Sequence, residues 1–551
     1  MLTLKRILLS MSLTVCLSFA AQMALAQVVI DTKTSPRCLR VNGMPMLMLA
    51  GELSNSAATS KADIDSVLPK MAAIGLNTVL VPAQWDLMEP EEGRFDFSLI
   101  DETINIARAN RLKVVFLWFG AWKNSMSCYA PLWFKRDVRR FPRALAENEK
   151  PLEIASAFSE NVFDADRKAF TSLLRHIAAR DSKEHTVVMV QVENEIGMLE
   201  SARDHSPLAE KAYKSGEWRK YLHLLTAGND DQRYVDEAFQ AYYYAKYVER
   251  LAVEGKKILD VPLYVNAAMN SRGRKPGEYP SAGPLAHLFP IWKAVAPHID
   301  LCAPDIYDTG FKGWVSQYAT EDNVLFIPES RCCVNSGVRA LYAFGEYHSL
   351  GFSPFAIDQS SPTDTRQLTQ AYGIMSQLSE LFYGGNHSGK TRTWGLLFSQ
   401  DDKERIINDG NAVLTCRHYF TLPWDPRATS GQPWQEGGAV VVRLADDEYI
   451  IAGSGVVVSF QTKTEKQQEN AVSTGEDGFA LSGSGRTGKY DNGNGFIGSR
   501  LGIGYVDEVE VEPGGRLRYV RRDNGDQSHQ GRHARISVGE YKILHVKLYE
   551  Y

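Results

Sequence analysis

The sequence predicts a (β/α)8 barrel followed by a C-terminal β-sandwich, and three observations carry that prediction. From about residue 40 to 385, short apolar runs alternate with stretches of helical periodicity, as parallel strands joined by crossover helices require. There are eight such runs, the number that closes a TIM-type barrel. After Tyr383 a Gly-Gly-Asn-His-Ser-Gly segment breaks the helical pattern, and the remainder of the chain consists of short β-branched or alternating segments separated by Gly/Ser/Asn-rich loops. A chain of 551 residues is also too long for one ordinary core, so two domains are expected, 27–385 and 386–551.

In chain order the first element is an export signal. Lys5 and Arg6 precede an apolar run from Ile7, and Ala24-Leu25-Ala26 sets small residues before Gln27. This order predicts a signal peptide over 1–26, a periplasmic, secreted or outer-surface protein, and no membrane span after its removal. Val15 is larger than the residue a lipoprotein signal places before its cysteine, so Cys16 is not read as a lipid anchor.

The strands are expected at Met46–Ala50, Thr78–Pro82, Val114–Trp118, Val187–Val192, Leu263–Asn266, Leu301–Pro304, Val324–Pro328 and Phe352–Ile357. Between the first two, Ile64, Val67, Leu68, Met71 and Ile74 share one helical face, and Ser60 and Asp63 precede it with capping-box spacing. Ser98 and Asp101 have the same spacing before Ile104 and Ala107. Residues 200–258 exceed one crossover helix, and Trp218–Leu225 predicts an additional helix near the mouth, either a gate or a decoration. In the C-terminal part, Ala439–Leu444, Tyr449–Ala452, Gly455–Phe460, Val506–Glu512 and Tyr541–Leu548 read as sandwich strands. That domain is expected to pack on the barrel, with glycan binding the alternative.

Composition narrows the function. Hydrophobic residues at 44% and charged residues at 23% are ordinary for a folded chain. A net charge of −5 with no basic stripe speaks against a nucleic-acid partner and for neutral substrates. Beyond the signal there are six cysteines, Cys38, Cys128, Cys302, Cys332, Cys333 and Cys416, without paired Cys-x-x-Cys spacing. Neither a structural zinc site nor any other metal is expected, and no organic cofactor is implied. Cys332-Cys333 reads as a vicinal disulfide or as two thiols, with thiols preferred.

A barrel of this kind gathers its chemistry at the carboxyl ends of its strands. The fourth run leads into Glu193-Asn194-Glu195-Ile196-Gly197, and the seventh ends in Glu329-Ser330-Arg331. Two carboxyl groups on different strand ends suit retaining glycoside hydrolysis, in which one protonates the leaving oxygen and the other attacks the anomeric carbon from about 5–5.5 Å away. An amide beside the acid, Asn194, would hydrogen-bond a sugar hydroxyl. Alternation turns Glu193 to the other side, so it is read as structural.

These residues resemble a known family. Gln191-Val192-Glu193-Asn194-Glu195-Ile196-Gly197 looks like the acid/base motif of glycoside hydrolase family 35, in the clan A barrel glycosidases. Gly75-Leu76-Asn77-Thr78 through Trp85, Glu89-Pro90 and Gly93-Arg94-Phe95-Asp96-Phe97-Ser98 resemble its second-strand region. The resemblance covers the barrel and implies an exo-acting retaining β-galactosidase: Glu195 as acid/base, Glu329 as nucleophile, Asn194 on the 2-hydroxyl, and Tyr307 as the sixth-strand tyrosine that hydrogen-bonds the nucleophile. Two segments depart from the family. Gly51-Glu52-Leu53-Ser54-Asn55-Ser56 replaces a Gly-Ser-Ile-His-Tyr type of segment, and Phe119-Gly120-Ala121-Trp122-Lys123-Asn124-Ser125-Met126-Ser127-Cys128 replaces one with Cys-Ala-Glu-Trp. They resemble a bacterial branch with an added C-terminal β-domain, some of whose members act on plant cell-wall galactosides such as galactosylated xyloglucan.

The remaining strand-end residues have two readings each. Trp85 and Trp122 are sugar platforms or core fillers. Gln84, Glu52 and Asn124 bind sugar hydroxyls or satisfy loop backbone. The mechanism requires Glu195 protonated and Glu329 ionised, after which Glu195 serves as base for water. The rival functions are another clan A hydrolase, such as an endo-glucanase or mannanase, and a non-catalytic glycan-binding protein. A serine hydrolase finds no Gly-x-Ser-x-Gly support.

Overall fold

The computed structural model describes residues 28–551 apart from 227, 229, 271, 384–391, 423, 429 and 470–497. The export signal and the Gly-Gly-Asn-His-Ser-Gly break therefore lie outside the described residues. The chain forms two compact units, one running to Arg331 with Leu350–Gln359 added, the other made of Cys332–Ser349 and Ser360–Tyr551.

In the first unit eight parallel strands close a barrel. They are β1 (Met48–Glu52), β2 (Thr78–Gln84), β3 (Lys113–Phe119), β4 (Val187–Gln191), β5 (Leu263–Ala268), β6 (Leu301–Ile306), β7 (Ile327–Ser330) and β8 (Gly351–Pro354). Each pairs with its neighbour in sequence order, and β8 pairs back onto β1. The strands are buried almost throughout, as expected where helices cover a parallel sheet.

Three strand ends depart from expectation, each for a physical reason. The first strand starts at Met48 because Met44–Met46 is the last strand of a small antiparallel sheet with Val28–Asp31 and Cys38–Val41. The seventh starts at Ile327: Val324, Leu325 and Phe326 are buried, but β6–β7 pairing begins only at Asp305 and Glu329. Their apolarity reports burial, not a ladder. The eighth stops at Pro354 because Ala356 takes a positive φ of 50°.

Of the two expected helix caps, one forms on its serine. The Ser60 hydroxyl accepts from Asp63 N at 3.1 Å and donates to the Asp63 carboxylate at 2.6 Å, opening the helix Lys61–Ala73. The helix Ser98–Ala109 is instead started by Asp96, whose carboxylate accepts from Ser98 N at 2.8 Å. Asp101 is drawn away to His176 Nε2, at 2.9 Å. The helix expected at Trp218–Leu225 is a 3-10 segment, Glu217–Leu224, between the helices Pro207–Ser215 and Gln232–Lys256. Trp218 is buried against Tyr213 and Phe239, so it anchors the segment on the crossover helix.

The second unit holds the helices Ser336–Tyr347 and Pro362–Tyr383 and ten strands: β9 (Arg392–Phe398), β10 (Glu404–Asp409), β11 (Ala412–His418), β12 (Gly437–Ala445), β13 (Glu448–Ser454), β14 (Val456–Thr462), β15 (Leu501–Glu512), β16 (Arg516–Asp523), β17 (Ala534–Ile536) and β18 (Lys542–Glu550). They form a six-stranded sheet, β9-β12-β13-β18-β15-β16, and a four-stranded one, β10-β11-β14-β17. Both contribute to one core, with Leu396, Val441, Ile451 and Leu544 from the first sheet and Leu414 and Val458 from the second. The helix Ser336–Tyr347 lies so close on β9 that a Cβ at Gly395 would stand 2.4 Å from the Tyr342 carbonyl. In chain order this helix and Pro362–Tyr383 follow β7 and β8, and the sequence reading counted both with the barrel. Their contacts group them with the sheets.

Candidate active site

The carboxyl ends of β4, β6 and β7 bring three acidic side chains together. One carboxyl oxygen from each of Glu195, Asp305 and Glu329 lies within 4.8 Å of the other two, and all three residues are buried. Lateral register sets two of them side by side, since Asp305 on β6 pairs with Glu329 on β7. Tyr307, two residues beyond Asp305 and on the same face by alternation, donates its hydroxyl to Glu329 Oε1.

The segment that carries Glu195 is held in an unusual backbone conformation. Glu193 and Glu195 have φ of 60° and 46°, in the left-handed region that residues with a Cβ rarely occupy. Several hydrogen bonds fix it there. Glu195 N donates to Asn266 Oδ1 at 2.8 Å, the Glu195 carbonyl accepts from Ser125 N at 3.1 Å, and Asn194 N donates to the Trp122 carbonyl at 3.3 Å. Glu193 points away and accepts from Trp122 N at 2.8 Å through Oε2. Strain maintained by its surroundings is what functional sites show.

The electrostatics follow from crowding buried acids together. Burial and then the charge of Glu195 push Glu329 up to about 7, against the opposing pull of Lys123 and the Tyr307 hydrogen bond. Burial, followed by the charges of Glu329, Glu195 and Glu52, holds Asp305 well above the usual carboxyl range. Glu52, at the end of β1, is raised likewise by burial and Glu329, with Lys123 opposing. All three shifts run the same way, favouring the neutral form of each carboxyl.

The residues singled out from the sequence divide into two groups. Glu195, Glu329, Tyr307, Asn194, Asn124 and Glu52 come together. Both polar atoms of the Asn194 amide are buried without a partner, as is Glu52 Oε1. Asn124 donates its amide to Glu195 Oε2. The others are occupied elsewhere. Trp85 is not a sugar platform: it is wholly buried among Trp118, Trp133 and Phe134 and donates Nε1 to Glu89 at 2.8 Å. Trp122 is not one either, being wholly buried against Tyr244 and Tyr247. Gln84 gives its amide nitrogen to the Asn55 carbonyl at 2.6 Å, on loop backbone.

Sequence reasoning missed Asp305, Asn266 and Lys123. For the first a signal existed: counting back two residues from Tyr307 puts Asp305 on the inward face. Asn266 was read only as the last residue of the fifth strand. Lys123 is buried, with its ammonium 4.9 Å from the centre of the Phe119 ring, and nothing in its loop context marked it.

Residues 56–243 match the glycoside hydrolase 42 family model, described as Beta-galactosidase, and residues 368–535 match a Domain of unknown function, DUF5597. The expectation had named family 35, whereas the matching barrel model is that of family 42. A Beta-galactosidase of Xanthomonas manihotis is 29% identical over 205 residues, covering 34% of this chain and 30% of that protein. Beta-galactosidase-1-like protein 3 of Homo sapiens is 30% identical over 148 residues, covering 26% of this chain and 21% of that one. The chain thus spans less than a third of the length of these curated relatives. Among solved structures, the β-galactosidase of the psychrophilic Marinomonas ef1 gives a TM-score of 0.46 at 13% identity over 60% of each chain. That of the Antarctic haloarchaeon Halorubrum lacusprofundi gives 0.45 at 16% identity, over 60% of this chain and 58% of its own. Among the described residues no helix is long and apolar enough to cross a membrane. The stretch matching the β-galactosidase model takes in β2, β3 and β4 with Asn194 and Glu195, and ends before Glu329.

Proposed function

We propose that this chain is an exo-acting, retaining β-galactosidase that works by double displacement. The observation that carries the reading is the pair Glu195 and Glu329 on β4 and β7, with carboxyl oxygens within 4.8 Å of each other beside the unpartnered amide of Asn194. That spacing suits a nucleophile bonding directly to the sugar; an inverting pair needs about 6.5–9.5 Å to admit a water. The β-galactosidase family model over residues 56–243 supports galactose as the sugar.

In the first step ionised Glu329 forms a bond to the anomeric carbon as the glycosidic C–O bond breaks, and Glu195 gives its proton to the leaving oxygen. In the second, Glu195 takes a proton from water, whose oxygen attacks the anomeric carbon and releases Glu329. Asn194 is placed to bind the 2-hydroxyl, and the buried acid of Glu52 to donate to another hydroxyl. The preferred substrates are terminal β-galactosides of plant cell-wall glycans such as galactosylated xyloglucan oligosaccharides, met in the periplasm after export.

Purified protein assayed on nitrophenyl β-galactoside, β-glucoside, β-mannoside and α-arabinoside, alongside xyloglucan oligosaccharides, is expected to release galactose selectively. Glu329→Gly is expected to lose at least ~10³-fold in turnover and to regain cleavage of an activated galactoside with azide, giving a product of inverted configuration. Turnover of glucosides or mannosides alone would replace galactose by another clan A sugar. Binding without turnover across the panel would leave a glycan-binding protein.

A further inference from the structure

Asn266 links two acids that the glycosidase reading treats unequally. Its Oδ1 accepts the backbone N–H of Glu195 at 2.8 Å, a donor that can meet only an oxygen. The amide is therefore fixed with Nδ2 toward Asp305, and it donates to Asp305 Oδ2 at 2.6 Å. Asp305 Oδ2 is thus an acceptor. Asp305 Oδ1 is buried and no donor is directed at it. A carboxyl oxygen of Asp305 also lies within 4.8 Å of one of Glu195, and two buried carboxyl groups can hydrogen-bond to each other only when one of them supplies the proton.

We propose that Asp305 is held as a carboxylic acid whose Oδ1 hydroxyl donates to Glu195, and that it is the positioning residue that readies Glu195 to give up its proton. The proposal rests on the glycosidase reading above for its kinetic part only. The groups around Asp305 favour the neutral form. Glu329 pairs with it across the β6–β7 ladder, Glu195 faces it from β4 and Glu52 from β1, while Tyr264, Tyr307 and Tyr318 add hydroxyls without charge. Lys123 is the cation acting on Glu52 and Glu329. Arg331 lies 6.0 Å from the centre of the Tyr307 ring; Lys123 and Arg331 together cannot balance four carboxylates, so protons must, and burial raises Asp305 well above its usual range.

The proton balance is simple. Glu195 transfers its own proton to the glycosidic oxygen, Asp305 keeps its proton, and its O–H stabilises the carboxylate that appears on Glu195. When Glu195 later takes a proton from water, the same hydrogen bond persists. Asp305 touches neither sugar nor water in either step and acts through Glu195 alone.

The test compares Asp305→Asn, which keeps a donor toward Glu195 but cannot ionise, with Asp305→Leu, which keeps none. On galactosides with poor leaving groups Asp305→Leu is expected to lose ~100-fold in kcat and Asp305→Asn less than ~10-fold, with both losses shrinking on activated aryl galactosides. Asp305→Asn is also expected to move the alkaline limb of the kcat/KM profile to higher pH. Equal losses for the two variants, independent of leaving group and with the limb unmoved, would overturn the proposal. Should Asp305→Asn not fold, Asp305→Ser, which keeps a hydroxyl donor, carries the same comparison. Infrared difference spectra of folded wild type against the variant separate this proposal from the function itself. Loss of one carboxylic-acid carbonyl band at neutral pH supports the protonated Asp305 even if no glycoside is turned over, and loss of a carboxylate band instead refutes it.

Discussion

Glu329, the proposed nucleophile, would tie catalysis to stability through one side chain. In the folded chain it holds its proton up to about 7, against an ordinary 4.5, because burial and Glu195 disfavour the charge. Between those values unfolding releases a proton. The stabilisation from Glu329 is therefore complete below about 4.5 and is lost as pH rises through about 7. Glu329→Gln cannot ionise, so denaturant unfolding is expected to find it more stable than wild type at pH 8, by up to about 3 kcal/mol, with little difference at pH 4. An equal gain at both pH values would exclude ionisation as the cause. The wild-type kcat/KM should fall on the acid side around neutrality for the same reason. Glu195 and Glu329, the two glutamates proposed to react, could be singled out from the sequence because each stands at or within three residues of the end of an apolar run. The placement of Trp85 and Trp122 was not legible, because a strand-end tryptophan looks the same in sequence whether it lines a cavity or fills a core, and only neighbours distant in sequence decide.

Among the elements, the two helix starts make the instructive pair. The spacing Ser-x-x-Asp occurs at both, but a cap is a competition among nearby partners. At Ser60 the hydroxyl caps the helix and is itself held by the Asp63 carboxylate; at Asp101 the pull of His176 and Arg180 wins, and Asp96 takes over the capping. Ser60→Ala and Asp96→Ala are each expected to cost ~1 kcal/mol in chemical denaturation, the usual effect of losing an N-cap. Unchanged stability in Asp96→Ala would show that the second helix needs no cap. All eight barrel strands were readable because burial on both faces makes them continuous apolar runs. The strands β9, β10, β11, β16 and β17 escaped notice, and for β16 the converse reason holds. β16, Arg-Leu-Arg-Tyr-Val-Arg-Arg-Asp, is a charged edge strand laced by ion pairs such as Arg521–Glu508, with no apolar run to announce it.

For the whole molecule, chain order and packing give different boundaries. The sequence suggested a break at 385, where composition changes, yet the helices Ser336–Tyr347 and Pro362–Tyr383 share their contacts with the sheets. A sheet face covered by those helices would be bared in a fragment of residues 386–551, and a bared apolar face favours aggregation. That fragment is expected to show no cooperative thermal transition by circular dichroism, whereas residues 332–551 are expected to show one. A sharp transition in the shorter fragment would restore the boundary at 385. No local pattern could have revealed this, because a helix that follows a barrel strand carries the same amphipathic stripe whichever sheet it covers.

The left-handed backbone at Glu193 and Glu195 bears on how such a chain drifts under selection. Glycine occupies that conformation without the penalty a Cβ brings. A population screened for heat resistance alone would therefore be drawn toward Gly at position 195, exchanging the proposed proton donor for a relaxed turn. The acid stays in place only while activity is being selected, and a hardened variant that has lost turnover should be sequenced there first.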